Sequence, residues 1–150
     1  IKSLYIMGED FTHIHPNQNK INKAMKNLDC IIVHELVMSD IASKAHIVFG
    51  VKSIYEKTGV YINAMRRLHL SQPLVTNNLP DDWEVLRDIE NKIKGKFLYK
   101  NSCDVWEDIR INAPIRFKGA SYQKLSKHRS KGMQWPINRV DTPILHIDEF

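Results

Sequence analysis

The sequence predicts an α/β fold: a three-layer domain with a short, mostly parallel sheet, followed by an α-helical and irregular C-terminal extension. Three observations predict it. Leu4-Tyr5-Ile6-Met7 is a short apolar run that ends in Gly8, Glu9 and Asp10. That is the pattern of a parallel strand delivering its C-terminal end to a ligand crevice. Cys30-Ile31-Ile32-Val33 is a second, continuous and largely β-branched run, suited to a strand covered on both faces. Between them, Ile21, Ala24, Met25 and Leu28 recur at helical spacing. Strand, helix and strand make a βαβ unit, expected to be parallel and right-handed.

The elements follow in order. Residues 2–7 read as a strand, and residues 11–16 as a loop carrying His13 and His15. His-x-His supplies two metal ligands, which do not make a site; surface polarity is the simpler reading. Residues 17–29 read as a helix that Pro16 precedes and Asn17 or Asn19 can cap. His34-Glu35 stands where the second strand ends. An acid there accepts hydrogen bonds from a ribose in nucleotide-binding βαβ folds, and the spacing from Gly8 suits that role. A lone acid after a strand is common, however, and there is no GxGxxG. Residues 39–45 read as a short helix or turn, and residues 45–49 as a third short strand, so three strand ends face one crevice. The first 95 residues therefore form a Rossmann-like part.

Within it, residues 56–59 make a turn, flanked by Val60-Tyr61-Ile62 and by Leu68-His69-Leu70, with Arg66-Arg67 in the connection. Two adjacent arginines suit a phosphate or ordinary surface charge. Residues 71–79 are a polar connection. Pro80-Asp81-Asp82 starts a helix well, with Pro in the first turn and acids at the positive end of the dipole. Val85, Leu86, Ile89 and Ile93 are its expected buried stripe, and Gly95 its end. Asp82 has two readings: a surface acid favoured by the dipole, or a carboxylate beside the crevice that accepts from guanine N1 and N2. The extension, residues 96–150, starts with a short extended piece at 97–99. Ser102 begins a helix with Val105, Trp106 and Ile109 on its apolar side, and Pro114 closes it. Residues 121–131 read as a short basic helix and the remainder as irregular.

Composition narrows the function classes. At 150 residues the chain is one domain, or one domain with a tail. Cys30 and Cys103 are the only cysteines. They can make neither an iron–sulfur site nor a zinc knuckle, and reduced thiols are the simpler reading than a disulfide. No apolar run approaches membrane-spanning length, so this segment is not expected to insert into a bilayer. The first residue is Ile1 rather than Met, and the expectation is a segment of a longer protein. The net charge of +5 is uneven: residues 109–140 carry eight Lys or Arg and no acid. Such a stretch attracts phosphates, nucleic acid or an acidic partner, or is a solvated or subunit-facing surface.

In order and spacing, the motifs resemble the molybdopterin-dinucleotide oxidoreductases. The resemblance rests on Leu4-Tyr5-Ile6-Met7-Gly8-Glu9-Asp10, on Glu35, on Ala42-Ser43-Lys44-Ala45-His46-Ile47-Val48, on Glu56 before Gly59, and on Asp82-Trp83. Phe117-Lys118-Gly119-Ala120-Ser121-Tyr122, Gln134-Trp135-Pro136, Thr142-Pro143-Ile144-Leu145-His146 and Phe150 are similar to the formate dehydrogenase large subunit. The resemblance covers nearly all of the chain. It implies an interior fragment of a larger subunit, in a region that grips molybdopterin guanine dinucleotide carrying molybdenum or tungsten. Carried over, Gly8, Glu9, Asp10, Glu35, Ser39 and Asp82 are the cofactor-binding residues, lining the guanosine end. The implied activity of the full-length subunit is formate oxidation to CO2 with electron transfer. Its catalytic residues and iron–sulfur cluster lie outside this segment, and its implied partners are sibling domains and electron-transfer subunits. Neither catalytic nor metal-ligating residues are expected here, and cytoplasmic and periplasmic placement both stay open.

The sequence also departs from the family pattern. Phe11 stands where Pro follows Gly-Glu-Asn or Gly-Glu-Asp, and Ser39-Asp40-Ile41-Ala42 keeps one hydroxyl of Thr-x-Thr-Ala. Phe49-Gly50 replaces Leu-Pro, and Gly59-Val60-Tyr61-Ile62-Asn63 replaces Gly-Thr-x-Thr-Asn. Arg67 alone remains of Gly-Arg-x-Gln, and Ile137 stands where a Cys commonly follows Gln-Trp-Pro. Two other readings therefore stand. One is a related subunit that serves as an iron–sulfur, respiratory-complex scaffold without molybdenum. The other is a basic module binding anions or nucleic acid through residues 109–140, although these have few interleaved aromatics and no RNA-binding signature.

Overall fold

A computed structural model describes residues 1–137. The Thr142–His146 motif, Phe150 and the last three residues of the basic stretch lie outside the described residues. The fold is mixed α/β with a short parallel sheet, as the sequence predicts. The chain forms two compact units: Ile1–Ser53 with Asn77–Gly95, and Ile54–Thr76 with the chain from Lys96 on.

The first unit holds β1 (Ser3–Met7), β2 (Cys30–Glu35) and β3 (Ile47–Gly50), parallel and in that order. Tyr5 lies opposite Ile32, Met7 opposite His34, and Glu35 opposite Gly50. Side chains alternate across a strand. Ile6, Ile31 and Val33 thus share the face that Met25 and Ile41 complete into a buried core. Met25 comes from α2 (Gln18–Lys26), which the Asn17 side chain caps through the Lys20 N–H. Ile41 comes from α3 (Asp40–Ser43), capped by Ser39.

Two expectations change in this unit. Residues 11–16 are not all loop: Phe11–Ile14 form the one-turn helix α1, because the Asp10 carboxylate satisfies the Thr12 N–H at its start. The helix expected after Pro80 forms as α4 (Asp82–Ile93), and Glu84 accepts a hydrogen bond from the Asp81 N–H at its start. Its stripe, however, buries only Val85; Leu86 is 39% and Ile93 72% exposed.

The second unit pairs β4 (Gly59–Ile62) with β5 (Arg67–Ser71), and β5 with β6 (Met133–Gln134), both antiparallel. Three helices, α5 (Ser102–Asn112), α6 (Pro114–Phe117) and α7 (Tyr122–Lys127), complete it. Leu68, Trp106, Ala120, Leu125, Met133 and Ile137 form its core. Trp106 rather than Ile109 is the buried residue of α5; Ile109 is 40% exposed. Where the sequence divides the chain at residue 95, the contacts draw 54–76 into the second unit as well. The reason is β6, a two-residue strand inside a stretch that reads as irregular. Gly132 permits it: its φ is +65°, and a Cβ there would stand 2.7 Å from the Leu68 carbonyl and the His69 ring.

Candidate functional site

The expected site residues gather at the C-terminal ends of the three parallel strands. Gly8 follows β1 with φ +62°, a left-handed turn that favours glycine. Its N–H donates to the His34 carbonyl at 3.1 Å, so pairing with β2 continues one step past β1. A Cβ at Gly8 would meet nothing within 4 Å. The glycine is therefore required by the backbone, and the space beside the turn is open. Glu9 is exposed.

Asp10 is turned inward. One carboxylate oxygen accepts from the Thr12 N–H at 3.0 Å and from the Thr12 hydroxyl; the other accepts from the Ile41 N–H at 3.3 Å. Burial alone would raise its pKa. The hydrogen bonds from the Thr12 hydroxyl, Ile41 and the Thr12 amide, with the nearby His13, outweigh this and hold the carboxyl below the usual range. Asp10 thus ties the turn after β1 to α3. Ser39 and Glu35 form a second knot: the Ser39 hydroxyl donates to Glu35 Oε1 at 3.1 Å and accepts from the Ala42 N–H at 3.3 Å. Glu35 Oε2 accepts from the Leu36 N–H at 3.2 Å.

Asp82 opens α4 with its side chain 26% exposed, and its Oδ1 lies 3.0 Å from His34 Nδ1. His34 is fully buried, and its Nε2 lies 2.6 Å from the Tyr5 hydroxyl. Burial, and then the charge of Asp82, push the Tyr5 pKa up. The sequence reading placed His34 only at a strand end. Its signal was the alternation: with Ile31 and Val33 facing one core, His34 must face the other side, where a ring nitrogen needs a partner.

Other candidates separate. His13 pairs with Asp40 at 3.0 Å, while His15 Nδ1 accepts from the Asn17 N–H at 3.0 Å. Among the described residues, no group of three or more His, Cys, Asp or Glu could hold a metal ion. Both cysteines are free thiols. Arg67 belongs to the second unit, where its guanidinium donates to the Lys131 carbonyl, to Gln134 Oε1 at 3.1 Å and to the Gly132 carbonyl at 3.5 Å. Arg66 lies over the Trp135 ring, 5.8 Å from its centroid. What remains at the strand ends is a set of carboxylate acceptors beside an open turn. Such groups take N–H and O–H donors.

Comparison with known proteins agrees with the fold. A family model described as molybdopterin oxidoreductase matches residues 1–92. The F420-dependent formate dehydrogenase subunit alpha of Methanocaldococcus jannaschii is 31% identical over 157 aligned residues, covering 100% of this chain and 23% of that protein. "Probable oxidoreductase YjgC" of Bacillus subtilis is 28% identical over 156 aligned residues, covering 100% of this chain and 15% of that protein. The chain thus spans less than a quarter of the length of either relative. Among solved structures, the acetylene hydratase of Pelobacter acetylenicus is similar with a TM-score of 0.65 over 89% of this chain and 18% of that one, at 18% identity.

Proposed function

We propose that this chain, which belongs to the molybdopterin oxidoreductase family, holds the guanosine end of a molybdopterin guanine dinucleotide at the strand ends of its parallel sheet. The observation that carries the reading is Asp82: a carboxylate fixed at a helix start, 26% exposed, beside the sheet end where Gly8 leaves open space. Guanine offers N1–H and N2–H donors on one edge, and a carboxylate with two oxygens matches that edge. Glu35 is the acceptor for ribose hydroxyls. Each of its oxygens already accepts one bond, and a carboxylate has about four lone-pair sites. Asp10 and Ser39 serve by fixing the turns that carry these groups, and Glu9 stands exposed beside them. The acceptor set fits a guanosine.

When bound, the molybdenum or tungsten pterin supplies the redox chemistry. This chain's residues bind and orient the far end of the group, with the catalytic residues and any iron–sulfur cluster on other parts of the same subunit. We infer further that the full-length subunit oxidises formate to CO2 and passes the electrons to partner subunits. The formate dehydrogenase subunit of M. jannaschii supports that step by its similarity along the whole chain.

Calorimetric titration of the full chain with guanosine 5′-diphosphate (GDP) tests the site. Asp82→Ala removes hydrogen bonds to a charged acceptor, each worth about 1.5–3 kcal/mol. One such bond alone corresponds to about 10- to 150-fold in affinity, which is the least loss expected. Equal affinity in the wild type and Asp82→Ala sinks the guanine role.

A further inference from the structure

We propose that His34 is the positioning residue of this site, the group that orients the Asp82 carboxylate toward the guanine edge and sets the preference for guanine. The inference rests on the guanosine reading above and deepens it. His34 is 0% exposed and has a fixed partner for every polar group of its ring and for its carbonyl. Nδ1 lies 3.0 Å from Asp82 Oδ1, Nε2 lies 2.6 Å from the Tyr5 hydroxyl, and the carbonyl accepts the Gly8 N–H at 3.1 Å. The ring is held on two sides, with centroids 5.3 Å from Tyr5 at 56° and 5.4 Å from Phe49 at 69°. One residue therefore governs both walls of the crevice: its backbone sets the Gly8 turn and its side chain sets Asp82.

The chemistry explains why an orienting group matters. The terminal torsion of an Asp side chain is broad and roughly two-fold, so an acid at a helix start samples several orientations. A base edge with two adjacent donors needs the carboxylate in one plane. The Tyr5 hydroxyl donates to Nε2, which puts the ring proton on Nδ1, and Nδ1–H donates to Asp82. That bond selects one orientation, and the carboxylate keeps lone pairs for the ligand. Tyr5 stands at the edge of the site, 38% exposed, and acts only by fixing which imidazole nitrogen carries the proton.

The test compares GDP with inosine 5′-diphosphate (IDP), which lacks the N2 amino group, by calorimetry on the full chain. Asp82→Ala reports on the guanosine reading; His34→Leu, His34→Gln and Tyr5→Phe report on the proposal. His34→Leu is expected to weaken GDP binding by about five- to tenfold, the scale of one positioned hydrogen bond. It should weaken IDP binding less, so that the GDP preference shrinks. Tyr5→Phe acts in the same direction by about two- to fivefold. His34→Gln, which keeps a donor and an acceptor, restores part of the preference. A merely structural role would lower both affinities by the same factor, and that result overturns the proposal. Should the buried His34→Leu fail to fold, Tyr5→Phe removes a single oxygen and carries the test alone. If Asp82→Ala erases the preference while Tyr5→Phe and every folded His34 variant keep it, the guanosine reading stands and the His34 role falls. If Asp82→Ala changes neither affinity, both fall together.

Discussion

In the parallel-sheet unit, polar side chains gather at strand ends and helix starts. In the antiparallel unit they are drawn into the seams between strands and loops. Asp10, Asn17, Ser39 and Glu84 each satisfy backbone N–H groups within the first unit. Such local bonds answer the unpaired donors that every helix start presents. They leave Glu35 and Asp82 at the sheet end as partly exposed carboxylates. The second unit spends its polar groups over long sequence distances. Gln134, 3% exposed, donates to the Met65 and Arg66 carbonyls at 3.0 and 3.2 Å and accepts from Arg67. Parallel strands end together on one side, so their unused chemistry is collected in one place. In the open antiparallel sheet the seam between β5 and β6 ties polar groups to one another instead.

The contrast breaks most sharply at Trp106. Its ring is 8% exposed, packs 5.3 Å from Phe117 and donates its indole N–H to the Ala120 carbonyl at 2.6 Å. Trp106→Ala leaves a cavity and an orphaned carbonyl, and is expected to cost about 3–5 kcal/mol. Hydrogen exchange should show β5, α5 and α7 losing protection. A loss below about 1 kcal/mol, the typical value for an arbitrary substitution, would show that the core in which Trp106 sits is not what holds the second unit.

A smaller effect is expected at Gln134. Gln134→Ala removes no large apolar group, yet takes the amide donor from the Met65 carbonyl; the Arg66 carbonyl keeps the Trp135 N–H at 2.8 Å, and Arg67 keeps the Lys131 and Gly132 carbonyls. One unsatisfied buried group costs about 1–3 kcal/mol, and urea unfolding measures it. A shift within the ±0.5 kcal/mol of an ordinary surface substitution would mean that water replaces the amide, and the long-range seam would lose its claimed importance.

The same contrast decides what was legible in the sequence. The first unit announces itself by local signals. Apolar runs end in Gly8 and Glu35, Asn17 and Ser39 stand at caps, and Pro80 precedes a helix; the strands and helices form there. What failed was coverage. Periodicity marks Leu86 and Ile93 as a stripe, but it cannot say whether another element covers them. The second unit is a hairpin completed by two residues from far along the chain, and no periodicity exists in a two-residue strand. Arg67 reads as a phosphate ligand or surface charge because its partners, Lys131 to Gln134, lie more than sixty positions away. His34 falls between these cases. Its strand was legible, but its role depends on Tyr5, 29 positions away, and Asp82, 48 away. The family pattern is what singles out Asp82 and Glu35 as candidates, since order along the chain is legible where spatial pairing is not.

The finest test concerns how local the first unit's stabilisation is. Asp10 caps α1 and reaches the Ile41 amide, so Asp10→Ala should cost about 1 kcal/mol at neutral pH. Its carboxyl titrates below the usual range in the folded chain. For a depressed carboxyl, the stabilisation due to charge is fully present above the unfolded value, about 3.9. It disappears as pH falls through the folded value. The stability difference between wild type and Asp10→Ala, followed by urea unfolding, should therefore be constant from neutral pH down to the ordinary carboxylate range and then narrow in stronger acid. Asp10→Asn separates charge from geometry, because Asn caps a helix about as well as Asp but does not titrate. If the cap alone matters, Asp10→Asn matches wild type at neutral pH and Asp10→Ala stays apart from it in acid. If the charge matters, Asp10→Asn falls short at neutral pH and draws level as the wild-type carboxyl protonates. The depressed pKa requires the second outcome, since a group bound more tightly in its charged form must lose that advantage when neutralised.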